Sequence, residues 1–144
     1  MAITAHRDYE TVGPVLRLKG VLKASEVFYK GALVVIDGGY FAKPTNAAKK
    51  IPIGVYDGGG MEPGAANITA PGSGTLPEIT VIHAPVWVPL AGASQADVGK
   101  LFCFVDNGTV IESLYKGSKT WAVPCLGFRT GEVLLDVTKP VDVS

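Results

Sequence analysis

The sequence is poor in charged residues, and its few charges balance. It holds 13 Lys and Arg against 13 Asp and Glu, so its formal net charge at pH 7 is zero. Proteins that bind nucleic acid normally carry a clear basic excess, because Lys and Arg neutralise the backbone phosphates. The balance therefore argues against a nucleic-acid partner. It also leaves little charge repulsion to oppose self-association.

Long apolar runs and targeting signals are also missing. No stretch approaches the roughly 20 apolar residues that a membrane-spanning helix needs. The first ten residues hold no basic region followed by an apolar one, so the sequence predicts no secretory signal. We therefore expect a protein made in a cytoplasm, with no membrane partner.

Reactive side chains are few and are not grouped. The only two cysteines, Cys103 and Cys125, each lie in an apolar strand, which favours reduced core residues over a disulfide. The two histidines, His6 and His83, stand in no metal-ligand spacing. The only serine with a glycine on both sides, in residues 72–74, lacks the frame of a hydrolase elbow. The sequence thus predicts no metal, no cofactor and no enzymatic activity.

Glycine and proline are abundant, with 18 and 10 residues in a chain of 144. Without a collagen-like period, they indicate many short strands separated by turns. The single good helix signal is about one turn over residues 94–99, between an N-cap Ser94 and a terminating Gly99. We predict one all-β domain, a small antiparallel β-barrel or sandwich, with a jelly roll as one possible form.

An approximate repeat organises the chain. Residues 29–40 predict a buried strand closed by a Gly-Gly turn, and residues 99–108 form a looser copy. Both contain Gly-x-Leu, an apolar run and Asp-x-Gly. Each is followed by an apolar run with a proline and then a glycine, at residues 51–56 and 123–128. We interpret this as two related β-units, although glycine-bounded strands also coincide by chance in all-β chains.

The sequence predicts three connecting segments: an N-terminal arm, a long loop and a tight hairpin turn. Residues 1–14 are an N-terminal arm that precedes the β-domain of residues 15–144, and this arm either frays or packs on a neighbour. Residues 57–77 predict one long Gly/Pro loop without its own structure, a kind of segment that is usually functional or mobile. Asn107 and Gly108 predict a tight hairpin turn in which both residues are left-handed.

Several of these segments resemble the small capsid decoration, or cement, proteins of tailed bacteriophages. The order and spacing match across most of residues 1–137, whereas the Pro-rich region 71–89 departs from the pattern. The matching segments are residues 1–8, 29–34, 54–55, the Gly-rich loop after Tyr56, residues 89–100 and residues 106–109.

The resemblance implies a non-enzymatic virion protein, made in the bacterial host cytoplasm and bound to the outer capsid surface. Its partner would be the major capsid protein, and it would cover the junctions between capsid subunits. The resemblance implies a homo-oligomer, and a trimer is expected. The arm residues Ile3 and Tyr9 and the loop residues Met61 and Ile68 are the hypothetical contacts. Trp87 has the size of an interface anchor.

Two alternatives stay open. A phage tail or fibre subunit would share the fold but assemble into rings or fibres. A small β-barrel carbohydrate-binding module would need a row of exposed aromatic side chains, for which Tyr40, Trp87, Tyr115 and Trp121 are available.

Overall fold

A computed structural model describes residues 2–58 and 68–144, and these form an antiparallel all-β protein. Its strands are, in chain order, β1 (Leu16–Val21), β2 (Val27–Phe28), β3 (Leu33–Asp37), β4 (Tyr40–Ala42), β5 (Ile51–Tyr56), β6 (Ile68–Thr69), β7 (Glu78–His83), β8 (Val86–Pro89), β9 (Leu101–Phe104), β10 (Val110–Glu112), β11 (Trp121–Arg129), β12 (Glu132–Leu135) and β13 (Val141–Asp142). The prediction of an all-β fold is confirmed. In this part of the chain, no helix is long and apolar enough to cross a membrane.

Two main sheets carry the fold. The first sheet has the order β1-β7-β5-β3-β4, and the second sheet has the order β10-β9-β11-β12-β8 with β13 paired to β11. A two-stranded ribbon of β2 and β6 completes the structure. Neither sheet closes into a barrel; the edges of the first sheet meet only at one bridge, between Leu22 and Phe41. The architecture is that of a small β-sandwich.

The two sheets share one strand order. Apart from β13, each has five strands, and in each the first, fifth, fourth, second and third of these along the chain lie side by side. The repeated segments of the sequence fall at equivalent places, because β5 and β11 are the central strands of the two five-strand units and β3 and β9 pair with them. The repeat in the sequence is therefore also a repeat of topology.

The chain crosses from one sheet to the other at Ala84 and Pro85, between β7 and β8. Ala84 is fully buried. The proline interrupts the strand because it has no N–H to donate to a ladder. One continuous β-rich stretch is thus divided between the two sheets.

Strand β3 is buried on both faces, which explains its unbroken apolar sequence. Leu33 and Val35 pack into a first core that both sheets share. Val34 and Ile36 point the other way, into a second core that includes Phe28 of the ribbon. Successive side chains of a strand point to opposite faces, so an alternating apolar pattern would not suffice here.

Strands β8 and β12 of the second sheet each have one buried face and one half-buried or exposed face. Val86 and Val88 of β8 lie in the first core, whereas Trp87 between them faces outwards and is half-buried. Leu134 of β12 is the cross-strand partner of Trp87 and is also half-buried. The outer face of this sheet is therefore a partly apolar surface.

The predicted long Gly/Pro loop contains one short strand in its described part. Ile68 and Thr69 form β6, which pairs with β2. Ile68 and Leu76 pack against the second core. The apolar residues of the Gly/Pro-rich segment supplied no periodic signal, because the strand is only two residues long. Residues 59–67 lie outside the described part.

Two smaller predictions agree with the structure. Residues Gln95–Asp97 form one 3-10 turn, in which the Asp97 carboxylate accepts a hydrogen bond from the Ser94 N–H at 2.9 Å. A second 3-10 turn, Ser113–Tyr115, was not predicted. Both Cys103 and Cys125 are buried free thiols, as expected.

Candidate functional site

Within residues 2–14, the N-terminal arm forms hydrogen bonds to its own domain at several points. Its end runs antiparallel to the edge strand β8, with a bridge between Thr11 and Val86. The Trp87 N–H donates to the Glu10 carbonyl at 3.0 Å, and the Val12 N–H donates to the Pro85 carbonyl at 2.9 Å. The arm therefore adds a short piece of strand to the second sheet.

The middle of the arm passes very close to the first sheet at Gly31. The Arg7 N–H donates to the Lys30 carbonyl at 2.8 Å. Gly31 has a φ of 87°, and a Cβ at this position would lie 2.2 Å from the Arg7 carbonyl oxygen. Gly99, the equivalent residue of the second unit, has a φ of 90° and nothing within 4 Å of such a Cβ. The arm makes glycine necessary for space only at Gly31.

The start of the arm is held by Asn107. The Ile3 N–H donates to Asn107 Oδ1 at 2.8 Å, and Asn107 Nδ2 donates back to the Ile3 carbonyl at 3.1 Å. The Asn107 carbonyl accepts from the Leu33 N–H at 2.8 Å. Asn107 is only 7% exposed. One buried side chain of the second sheet thus joins the arm, and its backbone joins the first sheet.

This role of Asn107 corrects a prediction. The hairpin of β9 and β10 forms as expected. Neither Asn107 nor Gly108 has a positive φ, however, so the left-handed two-residue turn is wrong. The turn is longer, because the Val105 N–H donates to the Thr109 carbonyl. Asn107 instead uses its side-chain amide group to form hydrogen bonds with the arm.

The arm side chains named as hypothetical contacts are half-buried in the protein itself. Ile3 packs against the second core, and Tyr9 packs against the first, where burial raises the pKa of its hydroxyl. Between them, His6 Nδ1 accepts a hydrogen bond from the Lys30 N–H at 3.0 Å. Its ring lies edge-on to Tyr29, with 6.4 Å between the ring centroids. These contacts make the arm an integral part of both cores.

Trp87 is partly covered by charged groups on the outer face of the second sheet. The Arg129 guanidinium carbon lies 4.3 Å from the centroid of the Trp87 ring. Arg129 also donates to Glu10 Oε1 at 3.0 Å and to Glu132 Oε1 at 2.7 Å, and these hydrogen bonds raise its pKa. The cluster ties the arm to this face, so Trp87 contributes to arm binding as well as to the surface.

The four predicted site residues that the structure describes do not converge on one surface. Ile3 and Ile68 both contact the second core. Tyr9 contacts the first core, and Trp87 lies on the outer face of the second sheet. Met61 lies outside the described residues.

Two open cavities flank the arm. One, of about 500 Å³, is lined by the first arm residues together with Tyr29 and Asn107. The other, of about 510 Å³, contains Arg7 and is lined by residues next to β8 and β10, the two edges of the second sheet. The arm residues Ile3 and Arg7 each form part of a wall. Both cavities therefore lie beside the arm, between its residues and the neighbouring parts of the domain.

An apolar segment that the sequence analysis did not single out leads from the arm into β1. We refer to residues 12–16 as the apolar junction. Val12, Val15 and Leu16 are 41%, 42% and 56% exposed, although each is strongly apolar. Strand β1 is an edge of the first sheet. These three apolar residues can be read from the sequence, but the alternating pattern of β1 does not indicate which side chains remain exposed in the folded protein.

The aromatic residues proposed for sugar binding lie on separate elements. Tyr40 is on β4 of the first sheet, Tyr115 is on the second 3-10 turn, and Trp121 is at the start of β11. Trp87 is partly covered by Arg129. The structure does not arrange these four side chains along one strand or one turn.

No group of three or more His, Cys, Asp or Glu within residues 2–58 and 68–144 is placed to hold a metal ion. Burial raises the pKa of both thiols, Cys103 and Cys125, which makes them poor nucleophiles.

Comparisons of the chain with protein-family models, with curated proteins and with solved structures found no match. The arm, its cavities and the apolar junction therefore have to be interpreted from their own geometry and chemistry.

Proposed function

We propose that this protein is a structural decoration protein, which binds the outer surface of a phage head and stabilises contacts between major capsid subunits. The resemblance of the opening residues and of the segments around residues 29–34 and 89–109 motivates this proposal. The observation that carries it in the structure is the apolar junction, which leaves three aliphatic side chains exposed beside a sheet edge. Such a surface favours binding to another protein.

The apolar junction can supply a modest affinity. Fully burying a Val or Leu side chain contributes about 1.5–3 kcal/mol, so covering the exposed halves of Val12, Val15 and Leu16 would contribute about 1 kcal/mol each. That sum alone would give weak binding. A homo-oligomer that presents several copies to a repeating lattice would bind far more tightly, because each further contact becomes intramolecular.

The bound arm makes this surface rigid. The junction is anchored on one side by the Val12 hydrogen bond to Pro85 and on the other by the ladder between β1 and β7. A segment that is already ordered loses little conformational entropy when it meets a partner. We therefore expect the junction to act as a preformed contact and not as a disordered tail.

The direct test is co-sedimentation of the purified protein with undecorated mature heads of its parent phage. The proposal predicts saturable binding at a fixed ratio to the major capsid protein and an increase in the heat resistance of the heads. Binding to tails or fibres, or to a sugar array without binding to heads, would favour the alternative assemblies. A folded protein that fails to bind heads would overturn the proposal.

Point variants test the surface better than deletion of the arm, because deletion would also remove Ile3 and Tyr9 from the cores. The double variant Val12→Ser/Leu16→Ser should weaken head binding by about tenfold or more, since 1.4 kcal/mol corresponds to tenfold. The matched control is Leu114→Ser/Tyr115→Ser, which alters two side chains that are 74% and 64% exposed elsewhere. Equal loss in both variants would exclude the junction as the main contact.

A further inference from the structure

The cavity that contains Arg7 lies where the two edges of the second sheet approach each other. Its walls come from the end of β8 and the following residues, including Pro89 and Leu90, and from Gly108 and Val110 at the start of β10. The space is about 510 Å³ and is open to solvent. Most of the wall is apolar, and Arg7 is the one charged residue that lines it.

The guanidinium group of Arg7 is held in place by backbone groups alone. Its Nη1 donates to the Gly108 carbonyl at 3.2 Å, and its Nη2 lies 3.5 Å from the Gly31 carbonyl. A guanidinium has five N–H donors, so these two contacts leave donors for a further acceptor. Among the ion pairs of residues 2–58 and 68–144, none includes Arg7.

The carboxylates whose charge reaches Arg7 are engaged elsewhere. Asp106 Oδ1 accepts a hydrogen bond from the Gly108 N–H at 2.9 Å. Glu132 Oε1 accepts from Arg129 Nε at 2.7 Å. Burial lowers the pKa of Arg7, whereas the negative charges of Asp106 and Glu132 raise it. An oriented, half-buried cation at an open apolar cavity is the structural requirement for binding an anion.

We propose that the Arg7 cavity binds the carboxylate of an acidic side chain, Asp or Glu, that is carried on an extended segment of a partner protein. The inference deepens the proposed function, on which it rests for the identity of that partner as a capsid protein. The guanidinium can bind a carboxylate through two parallel hydrogen bonds, and the apolar wall suits the aliphatic stem of the side chain.

A singly charged ligand fits this cavity better than a highly charged one. Asp106 and Glu132 place two further negative charges nearby, and they repel phosphate dianions and nucleic acid more strongly than a carboxylate. The zero net charge of the chain points in the same direction. The site should therefore prefer a carboxylate over inorganic phosphate at equal concentration.

The test is an NMR titration of the full chain with N-acetyl-glutamate N-methylamide, which carries a single side-chain carboxylate. We expect saturable shifts of the Arg7 side-chain N–H and of the Gly108 and Gly131 amides, with a dissociation constant on the order of millimolar. The glutamine analogue and inorganic phosphate should bind at least about tenfold more weakly. Equal binding of the glutamine analogue, or tighter binding of phosphate, would overturn the assignment.

Three variants separate binding from folding. Arg7→Gln should abolish saturation, Arg7→Lys should retain part of it, and the exposed Arg17→Gln on β1 should retain all of it. Amide spectra and Tm values report whether each variant is folded. If Arg7→Gln disturbs the arm, a folded Arg7→Lys still tests the site, because partial saturation is expected there and undiminished binding would exclude the guanidinium geometry. Undiminished binding in Arg7→Gln would overturn the proposal.

The outcome is independent of the head-binding experiment. Heads that bind a protein with no affinity for the probe would overturn the Arg7 inference and leave the proposed function intact. A protein that binds the probe but does not bind heads would overturn the proposed function and leave the Arg7 inference intact.

Discussion

The two sheets have the same strand order but different surroundings. In the first sheet, β3 buries Leu33 and Val35 in one core and Val34 in the other. In the second sheet, Trp87 and Leu134 remain half-exposed on the outer face. Phe28 and Ile68 of the ribbon pack in the second core with residues of the first sheet, and residues 2–58 and 68–144 contain no second ribbon of this kind. The two sheets therefore differ at particular strands: β3 is covered on both faces, whereas β8 and β12 each keep one half-buried or exposed face.

The arm is the second difference between the units. It contacts the first unit at Gly31 and the second at Asn107 and β8. Because one arm serves two similar units, equivalent positions of the repeat have unequal roles. Each such pair of positions provides a variant and its matched control within one chain.

The largest difference should appear between the covered and the uncovered sheet. Phe28 of the ribbon is fully buried, and Phe28→Ala should lower the free energy of unfolding by about 3–5 kcal/mol through loss of burial and a cavity in the second core. Leu126→Ala, on the second sheet where the side chain is 50% exposed, should cost about 1 kcal/mol or less. Urea denaturation measures both. Similar losses would show that the ribbon is not a structural layer.

The next effect distinguishes the two equivalent glycines. Gly31→Ala and Gly99→Ala impose the same φ strain, but only the former pushes a Cβ against the Arg7 carbonyl. We expect Gly31→Ala to destabilise the protein by about 1–3 kcal/mol more than Gly99→Ala. Faster hydrogen exchange of the Arg7 amide should accompany it. If both variants were equally stable, the close approach of arm and sheet would be contradicted.

A smaller loss is expected when the arm is released at its start. Asn107→Ala removes both hydrogen bonds to Ile3 and should cost about 1–2 kcal/mol, because each such bond contributes about 0.5–1.5 kcal/mol. The Ile3 amide should lose its protection from hydrogen exchange. Asn46→Ala is the control, since Asn46 accepts hydrogen bonds from the Ser118 amide and from Lys119, far from the arm. Retained protection of Ile3 in Asn107→Ala would refute the proposed anchoring.

The smallest effect concerns the turns that close the two units. Hydrogen bonds from Lys23 and Lys50 hold the pKa of Asp37 below its ordinary value in the first unit. A carboxyl with a lowered folded-state pKa stabilises the protein above its unfolded pKa of about 3.9 and loses this contribution as pH falls through the folded-state value.

The stability advantage of the wild type over Asp37→Asn should therefore shrink as pH falls from 5 to 3. Asp106→Asn changes the equivalent turn, where the carboxylate accepts from the Gly108 amide and forms no ion pair within the described residues. Chemical denaturation at several pH values measures both differences. A constant advantage of the wild type over Asp37→Asn across this range would contradict the assigned lysine contacts.

The fold class followed from the sequence because its signals are local. Glycines bounded the strands, alternation or unbroken apolar runs marked them, and the shared landmarks of residues 29–40 and 99–108 indicated two related units. The covering ribbon was missed, because β2 and β6 have two residues each and pair across more than 30 positions.

The candidate site was harder to predict for a physical reason. Asn107 shows how: its amide is used by a backbone segment that is 104 positions away, which no local pattern encodes. The same holds for Gly31, whose conformation was predictable as a break but whose contact with Arg7 was not. The sequence therefore left open whether the arm frays or packs on a neighbour, whereas the structure shows Ile3 and Tyr9 packed against the cores of their own domain.

The contacts of the arm also determine the order in which the chain can fold. Ile3 and Arg7 are made early in synthesis, yet their partners Asn107 and Gly108 follow about a hundred residues later. Closing so long a loop costs more entropy than forming the local hairpins of either unit. We expect the hairpins to form first and the arm to dock last, so that a growing chain keeps the edge of β8 open until translation has passed Asn107.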